Sequence, residues 1–236
     1  MGSALARITS RLLRFLRNHS LEAYSREEFR FAHISFSQFG EDLAVERWVE
    51  RLEVSAKTYV DVGCFHPIHH SNTLLLSKNG WRGVNVDFDA EKISVFERLR
   101  PRDFNVMAAV SSCEGEKQVL RYEGGGTNRL SEPADPDVRS AIGALPISKG
   151  VVRTKTLDSI LSSAPWPIAQ IGYLNIDCEG HDLEVLRGLN LARFRPAIIS
   201  IEALSKEEIA EVGRYLQDHG YLHRETIFRT LLFTLG

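Results

Sequence analysis

Four acids fall where a β-rich, apolar run stops: Asp61 in TYVDVG, Asp87 closing GVNVD, Asp177 closing IGYLNID and Glu202 closing AIISIE. A carboxylate among residues that should be buried is costly to keep ionised, so such an acid points to work rather than to solvation. Two kinds of work suit them. One is to accept hydrogen bonds from the hydroxyl pair of a ribose. The other is to take a proton from a hydroxyl, or to hold a metal against it. His66, Glu179 and His181 stand beside these acids in the chain and add candidate bases. The bland reading of any single acid is a helix N-cap or a solvated turn, and for Asp182 that reading is the better one.

The ligand class follows from the turn after the first acid. Gly63 ends the run, and a glycine lets a ligand approach a backbone without a Cβ. Some twenty-five residues on, Asp87 closes the next run, where an α/β fold places its ribose acid. A dinucleotide would need G-x-G-x-x-G, because a pyrophosphate wants bare N–H groups. Here Gly63 is followed by Cys64, Phe65, His66 and Pro67, and no Walker-type phosphate loop occurs. S-adenosylmethionine has no phosphate. It needs one close backbone approach, a ribose acid and polar groups for its amino-acid end. Asn72 and Thr73 could serve that end, or simply cap a helix. Gln38, Glu41 and Asp42 could close over the ligand, or simply suit the dipole of the helix they open.

Methyl transfer from a sulfonium to a hydroxyl needs the acceptor oxygen in line and its proton removed. Asp177 and Glu202 on neighbouring strands offer hard oxygen ligands for Mg²⁺, leaving Glu179 or His181 as the base. Without a metal, His181 or His66 is the simpler base. The cluster His66, His69, His70 lacks the cysteines and the distant partner of a structural zinc site.

Alternating strand and helix patterns position these residues. Strands are expected at 59–62, 83–87, 104–110, 116–122, 151–154, 171–177 and 197–202. Helices are expected at 71–79, 90–99 and 206–219. This gives a doubly wound, mostly parallel sheet. Two closing runs, 221–224 and 227–233, are joined too tightly to be anything but antiparallel. Residues 4–17 read as a basic amphipathic helix, either packed against protein or lying peripherally on an anionic membrane. Residues 1–34 are thus an extension and 35–236 the main domain. The stretch 124–150 reads as a long loop, functional or disordered.

Composition bounds the partners. The 236 residues suit one α/β domain, with 43% hydrophobic and 25% charged residues. A net charge of −2 argues against a general nucleic-acid binder. Three cysteines are a sparse, odd set, better read as reduced thiols of a cytoplasmic protein than as disulfide partners. A homo-oligomer is compatible with all of this.

The pieces SQFGED, YVDVGCFHP, SNTLLL, GWRGVNVD, RPRDFNVMAAV, TLDSIL, LNIDCEGHDLEVLRGL and RPAIISIE, in that order, resemble the FkbM-type methyltransferase family. The resemblance spans about Phe36 to Leu204. It implies a class I, Rossmann-like, S-adenosylmethionine-dependent fold and methylation of hydroxyls, often on sugars or glycans. It also implies Asp61, Gly63, Asn72 and Asp87 as cofactor residues and the DCEGH segment as catalytic. Two positions depart from the family pattern: Asp87–Phe88 stands where Glu–Pro is common, and Cys178 where Val is frequent. Competing readings are a nicotinamide-dependent oxidoreductase, disfavoured by the missing glycines, and a non-catalytic nucleoside-binding module, disfavoured by the intact DCEGH segment.

Overall fold

The structure is a computed structural model and describes residues 26–121, 129–131 and 147–236. The basic helix expected at 4–17 and most of the 124–150 loop lie outside these residues. The chain divides into two compact units, Met1–Ile34 and Ser35–Gly236. Of the first, only a short helix is described, α1 (Arg26–Phe29).

The second unit runs α2 (Glu41–Arg51), β1 (Thr58–Val62), α3 (Leu74–Lys78), β2 (Arg82–Asp87), α4 (Ala90–Leu99) and β3 (Phe104–Met107). Then come β4 (Ala109–Val110), β5 (Gly115–Arg121), β6 (Arg129–Ser131), β7 (Ser148–Lys155) and α5 (Leu157–Ser162). It closes with β8 (Tyr173–Ile176), α6 (Asp182–Arg187), α7 (Leu191–Phe194), β9 (Ile198–Glu202), α8 (Lys206–Asp218), β10 (Tyr221–Ile227) and β11 (Thr230–Leu235). Local chemistry marks several starts. Asp89 accepts from the Glu91 N–H to cap α4, Thr156 accepts from Ser159 to cap α5, and Ser205 with Glu208 forms a capping box on α8.

Seven strands form the main sheet in the order β10-β11-β9-β8-β1-β2-β3. β1 pairs in parallel with β2 and β8, and β11 is antiparallel to both β9 and β10. The central strands are buried on both faces, as β-branched and aromatic runs under helices should be. One face packs Val60, Val84, Leu174 and Ile199; the other packs Tyr59, Tyr173 and Ile198 against Ala44, Val45 and Leu76. Strand order reverses between β1 and β8, so a crevice opens at their carboxyl ends. This is the class I methyltransferase-like architecture expected from the sequence.

The expectation of a single sheet needs correction. A second, four-stranded sheet has the order β4-β7-β5-β6. The run expected as one strand, 104–110, is broken at Ala108. The Ala108 N–H still bonds the Asp87 carbonyl (3.0 Å), but the Ser111 N–H bonds Lys155 (3.0 Å) in the other sheet. The stretch expected as a loop contributes β6 and the start of β7 to that sheet.

Candidate active site

The turn after β1 is fixed by backbone packing. Gly63 has φ +78, and a Cβ there would sit 1.8 Å from the Asp177 carbonyl oxygen. The glycine is therefore demanded first by the close approach of the β1 and β8 ends, and only secondarily by any ligand.

Asp61, 2% exposed, faces the interior of the sheet rather than open solvent. Its carboxylate accepts from Thr73 Oγ1 (2.7 Å) and from Asn175 Nδ2 (2.9 Å). Thr73 in turn accepts from Arg100 Nη1 (2.8 Å), and Arg100 also donates to Ser71 Oγ (2.8 Å) and to the Pro67 carbonyl. Burial pushes the Asp61 carboxyl up, against the pull of Asn175, Thr73 and Arg100. Thr73, which could have been a plain cap, and Ser71 are thus spent on a buried cation. The strand register extends the polar row: Ser200 lies opposite Asn175, Asn175 opposite Asp61, Asp61 opposite Asn85 and Asn85 opposite Asn105. Ser200 Oγ donates to Asn175 Oδ1 (2.7 Å), and Asn72 Nδ2 reaches the same oxygen (3.1 Å).

Asp87 closes β2 at the other side of Gly63. Its Oδ1 accepts from the Asp89 N–H (2.9 Å), while its Oδ2 pairs with Lys92 Nζ (3.2 Å) and takes a long bond from Phe65 N–H (3.4 Å). Burial raises its carboxyl, and Lys92 is the largest opposing influence. A carboxylate oxygen has more than one lone pair, so these bonds leave capacity for ribose hydroxyls.

Asp177, Glu179 and Glu202 form the acidic end of the site, each able to offer an oxygen within 4.8 Å of the others. Glu202 Oε2 is buried with no hydrogen-bond partner among the described residues. Burial, then the neighbouring acids, raise both Asp177 and Glu202 above the ordinary carboxylate range. Asp177 is exposed towards the crevice although protein encloses it on its other sides, so water in the crevice moderates that rise. Such a trio suits either a shared proton or a cation. An orphaned buried oxygen fits a hard divalent ion such as Mg²⁺, which takes carboxylate oxygens and keeps several waters.

A cavity of about 440 Å³ joins these parts. Gln38, Asp61, Gly63, Asn72 and Asp87 line it, and so do Asp177, Glu179 and Glu202. His66 and His181 do not, although the sequence placed them beside the acids. His66 Nδ1 accepts from the Ile68 (3.1 Å) and His69 (3.0 Å) N–H groups, which ties up its lone pair inside the turn. Its pKa is lowered, by burial first. His69 and His70 line the cavity in its place. His181 occupies the N-cap position of α6, its Nε2 3.0 Å from Ser111 Oγ. The left-handed pair Glu179 (φ 54) and Gly180 (φ 90) turns the chain so that Glu179 meets the cavity and His181 meets β4's end. Asp42 is consumed by the loop before α2, accepting from Ser35 (2.6 Å), Phe36 (2.7 Å) and Ser37 (2.8 Å). Asp182 binds the N–H groups of Cys178 and Gly180, each at 2.9 Å, as a turn-capping acid should.

All three cysteines are free, and burial pushes the thiols of Cys64 and Cys178 up, away from thiolate chemistry. Sequence reasoning missed Lys92 and Arg100, and also Phe39, Phe228 and Arg229 at the cavity's other end. Lys92 reaches Asp87 from the first turns of the next helix and Phe228–Arg229 turn the closing hairpin, but only the fold brings Arg100 to Thr73 and Phe39 to Phe228. No helix among the described residues is long and apolar enough to cross a membrane.

Against known proteins, the sequence matches the family described as the methyltransferase FkbM domain over residues 61–222. No curated protein and no solved structure matches it significantly.

Proposed function

The chain belongs to the FkbM methyltransferase family, and from that premise we propose that it carries the methyl group of S-adenosylmethionine to a hydroxyl, that of a sugar or glycan. When bound, the sulfonium supplies an electrophilic methyl, whose move to oxygen breaks the C–S bond and returns that electron pair to sulfur as a neutral thioether. The chain's own residues do the rest. Asp87 accepts from the ribose hydroxyls, and Gln38 and Asn72 offer polar groups to the amino-acid end. Asp177 takes the acceptor's proton: a carboxylate with a raised pKa is a better base near neutrality than an ordinary one. Glu179 and Glu202 hold the acceptor hydroxyl beside it.

The observation that supports this reading is one cavity, at the point where strand order reverses, lined both by Asp87 and by Asp177, Glu179 and Glu202. Titrating the protein with S-adenosylhomocysteine and with NADH tests it. Binding of the thioether alone supports it, and binding of the dinucleotide alone gives the site to hydride transfer.

A second reading of the acidic end has its own observation, the unpartnered Glu202 Oε2. In that reading Asp177 and Glu202, joined by Glu179, hold Mg²⁺, and the ion lowers the pKa of the acceptor hydroxyl. A cytoplasmic location is supported by three free thiols, one of them, Cys113, exposed.

A further inference from the structure

The cavity is longer than one nucleoside needs. Asp87 ends β2 and Thr230 begins β11; both line it, with β1, β8 and β9 between their strands. Four inter-strand steps of about 4.8 Å span roughly 19 Å. A nucleoside held at Asp87 leaves the β9–β11 end free for a second molecule.

That end carries two aromatic side chains whose placement folding does not explain. Ile227 pairs with Thr230, so Phe228 and Arg229 are the two-residue connection between β10 and β11. Phe228 has φ 55, a conformation for which such hairpins use Gly, Asn or Asp. A bulky residue there is a genuine outlier, and backbone outliers cluster where a site needs them. Core burial does not compensate, because Phe228 is 64% exposed. Phe39, 47% exposed, comes from the loop before α2 and meets it with ring centroids 4.3 Å apart and planes at 34°. The Arg229 guanidinium lies 5.2 Å from the Phe228 ring. Both rings and Arg229 line the same cavity as Glu179 and Glu202.

We propose that Phe39, Phe228 and Arg229 form the acceptor subsite, and that its occupant is a neutral pyranoside ring. This rests on the methyl-transfer reading above. A pyranose presents an apolar C–H face and a hydroxyl edge. The exposed rings suit the face. The carboxylates of Glu179 and Glu202 and the Arg229 guanidinium suit the edge, since the acids accept and the cation donates. A flat aromatic acceptor would use the rings but offer no hydroxyl edge to the two acids and the cation beside them.

The test uses the full chain and two readouts. Calorimetry with S-adenosylhomocysteine reads the cofactor end. Saturation-transfer NMR, with the thioether bound, reads the acceptor end, using methyl glucoside, galactoside, mannoside, fucoside and rhamnoside as probes. At least one glycoside is expected to saturate. Phe228→Ala and Phe39→Ala are expected to weaken it roughly tenfold with thioether affinity within about twofold, and Phe228→Trp to retain it. Phe228→Gly suits the φ, so it keeps the fold while removing the ring, and is expected to behave as Phe228→Ala. Glycoside binding unchanged in all three ring-less variants overturns the subsite. So does thioether binding with no glycoside signal in the parent protein. Failure of the thioether itself to bind overturns the underlying methyl-transfer reading instead.

Discussion

Gly63 and Asp177 touch through their backbones: a single carbon added to the glycine would lie 1.8 Å from the aspartate's carbonyl oxygen. The contact locks the ends of β1 and β8 together at the floor of the cavity, where the order of the strands reverses. The turn after Asp61 and the turn at Asp177 are therefore one packed unit.

Gly63→Ala is expected to destabilise the protein by about 3 kcal/mol or more, combining an overpacked backbone contact with a left-handed φ. In a chain of this size that lowers the melting temperature by roughly 10 °C. Gly40→Ala is the control. Gly40 also has a positive φ, +92, but nothing lies within 4 Å of its missing Cβ, so only the conformational cost of about 1 kcal/mol remains. Thermal unfolding of both variants checks this, and equal losses would mean that the contact is not close.

Much of the sheet was legible because each central strand is an apolar run that ends at an acid or a glycine. β1, β2, β8 and β9 announce themselves in this way, and so does the antiparallel close of the chain. The second sheet was not legible, because the break at Ala108 carries no glycine or proline and turns on two backbone hydrogen bonds to different sheets. The site divides similarly. The acids at strand ends were readable one by one. The row Ser200, Asn175, Asp61, Asn85, Asn105 was not, since it exists only once the register is set. Arg100 follows a helix and precedes Pro101, and in sequence looks like any solvated cation. Only the fold brings it 2.8 Å from Thr73. His66 and His181 part from the acids for the opposite reason: their neighbours in sequence, they do not line the cavity, set apart by turns with φ 50 at Phe65 and φ 54 at Glu179.

Arg100→Met is expected to cost about 3–5 kcal/mol, because it strips the cation from buried Asp61 and leaves Ser71 and the Pro67 carbonyl without their donor. Arg100→Lys keeps the charge but cannot reach Thr73, Ser71 and Pro67 at once, so it recovers only part of the loss. Urea unfolding measures both. Thioether affinity should fall with them, since the same network anchors the segment bearing Asn72. A midpoint for Arg100→Met equal to that of the parent protein would show that the network braces nothing.

Asp87→Asn is expected to weaken S-adenosylhomocysteine binding by about ten- to a hundredfold, the worth of a hydrogen bond accepted by a charged group. Lys92→Met acts through the same carboxylate. Its ammonium is the strongest influence opposing the rise of the Asp87 pKa, so without it the acid protonates at higher pH. Binding to Lys92→Met should then weaken as pH falls, from a pH at which the parent protein still binds fully. Calorimetry across that range decides, and pH-independent binding in the variant would detach Asp87 from the ribose.

The acid trio gives the last expectation, and it separates a proton from a metal. Asp177 and Glu202 are both raised, by burial and then by neighbouring acids. Below the raised values the pair holds a proton; above them it is fully ionised. The acid limb of kcat/KM should therefore lie above the ordinary carboxylate range, and activity should climb as pH rises through it. Asp177→Asn removes both the proposed base and the charge that, after burial, most raises Glu202. In that variant residual activity should be low and the remaining Glu202 titration should move down. Mg²⁺ competes with the shared proton for the same oxygens. If the trio takes the ion, calorimetry near pH 6 in buffers of different ionisation enthalpy will register proton release. Saturating Mg²⁺, about a hundred times its dissociation constant, will then stabilise the fold by about 2.7 kcal/mol. Both effects must vanish in Glu202→Gln. No proton release and an unmoved melting temperature leave Asp177 as a base that works without a metal.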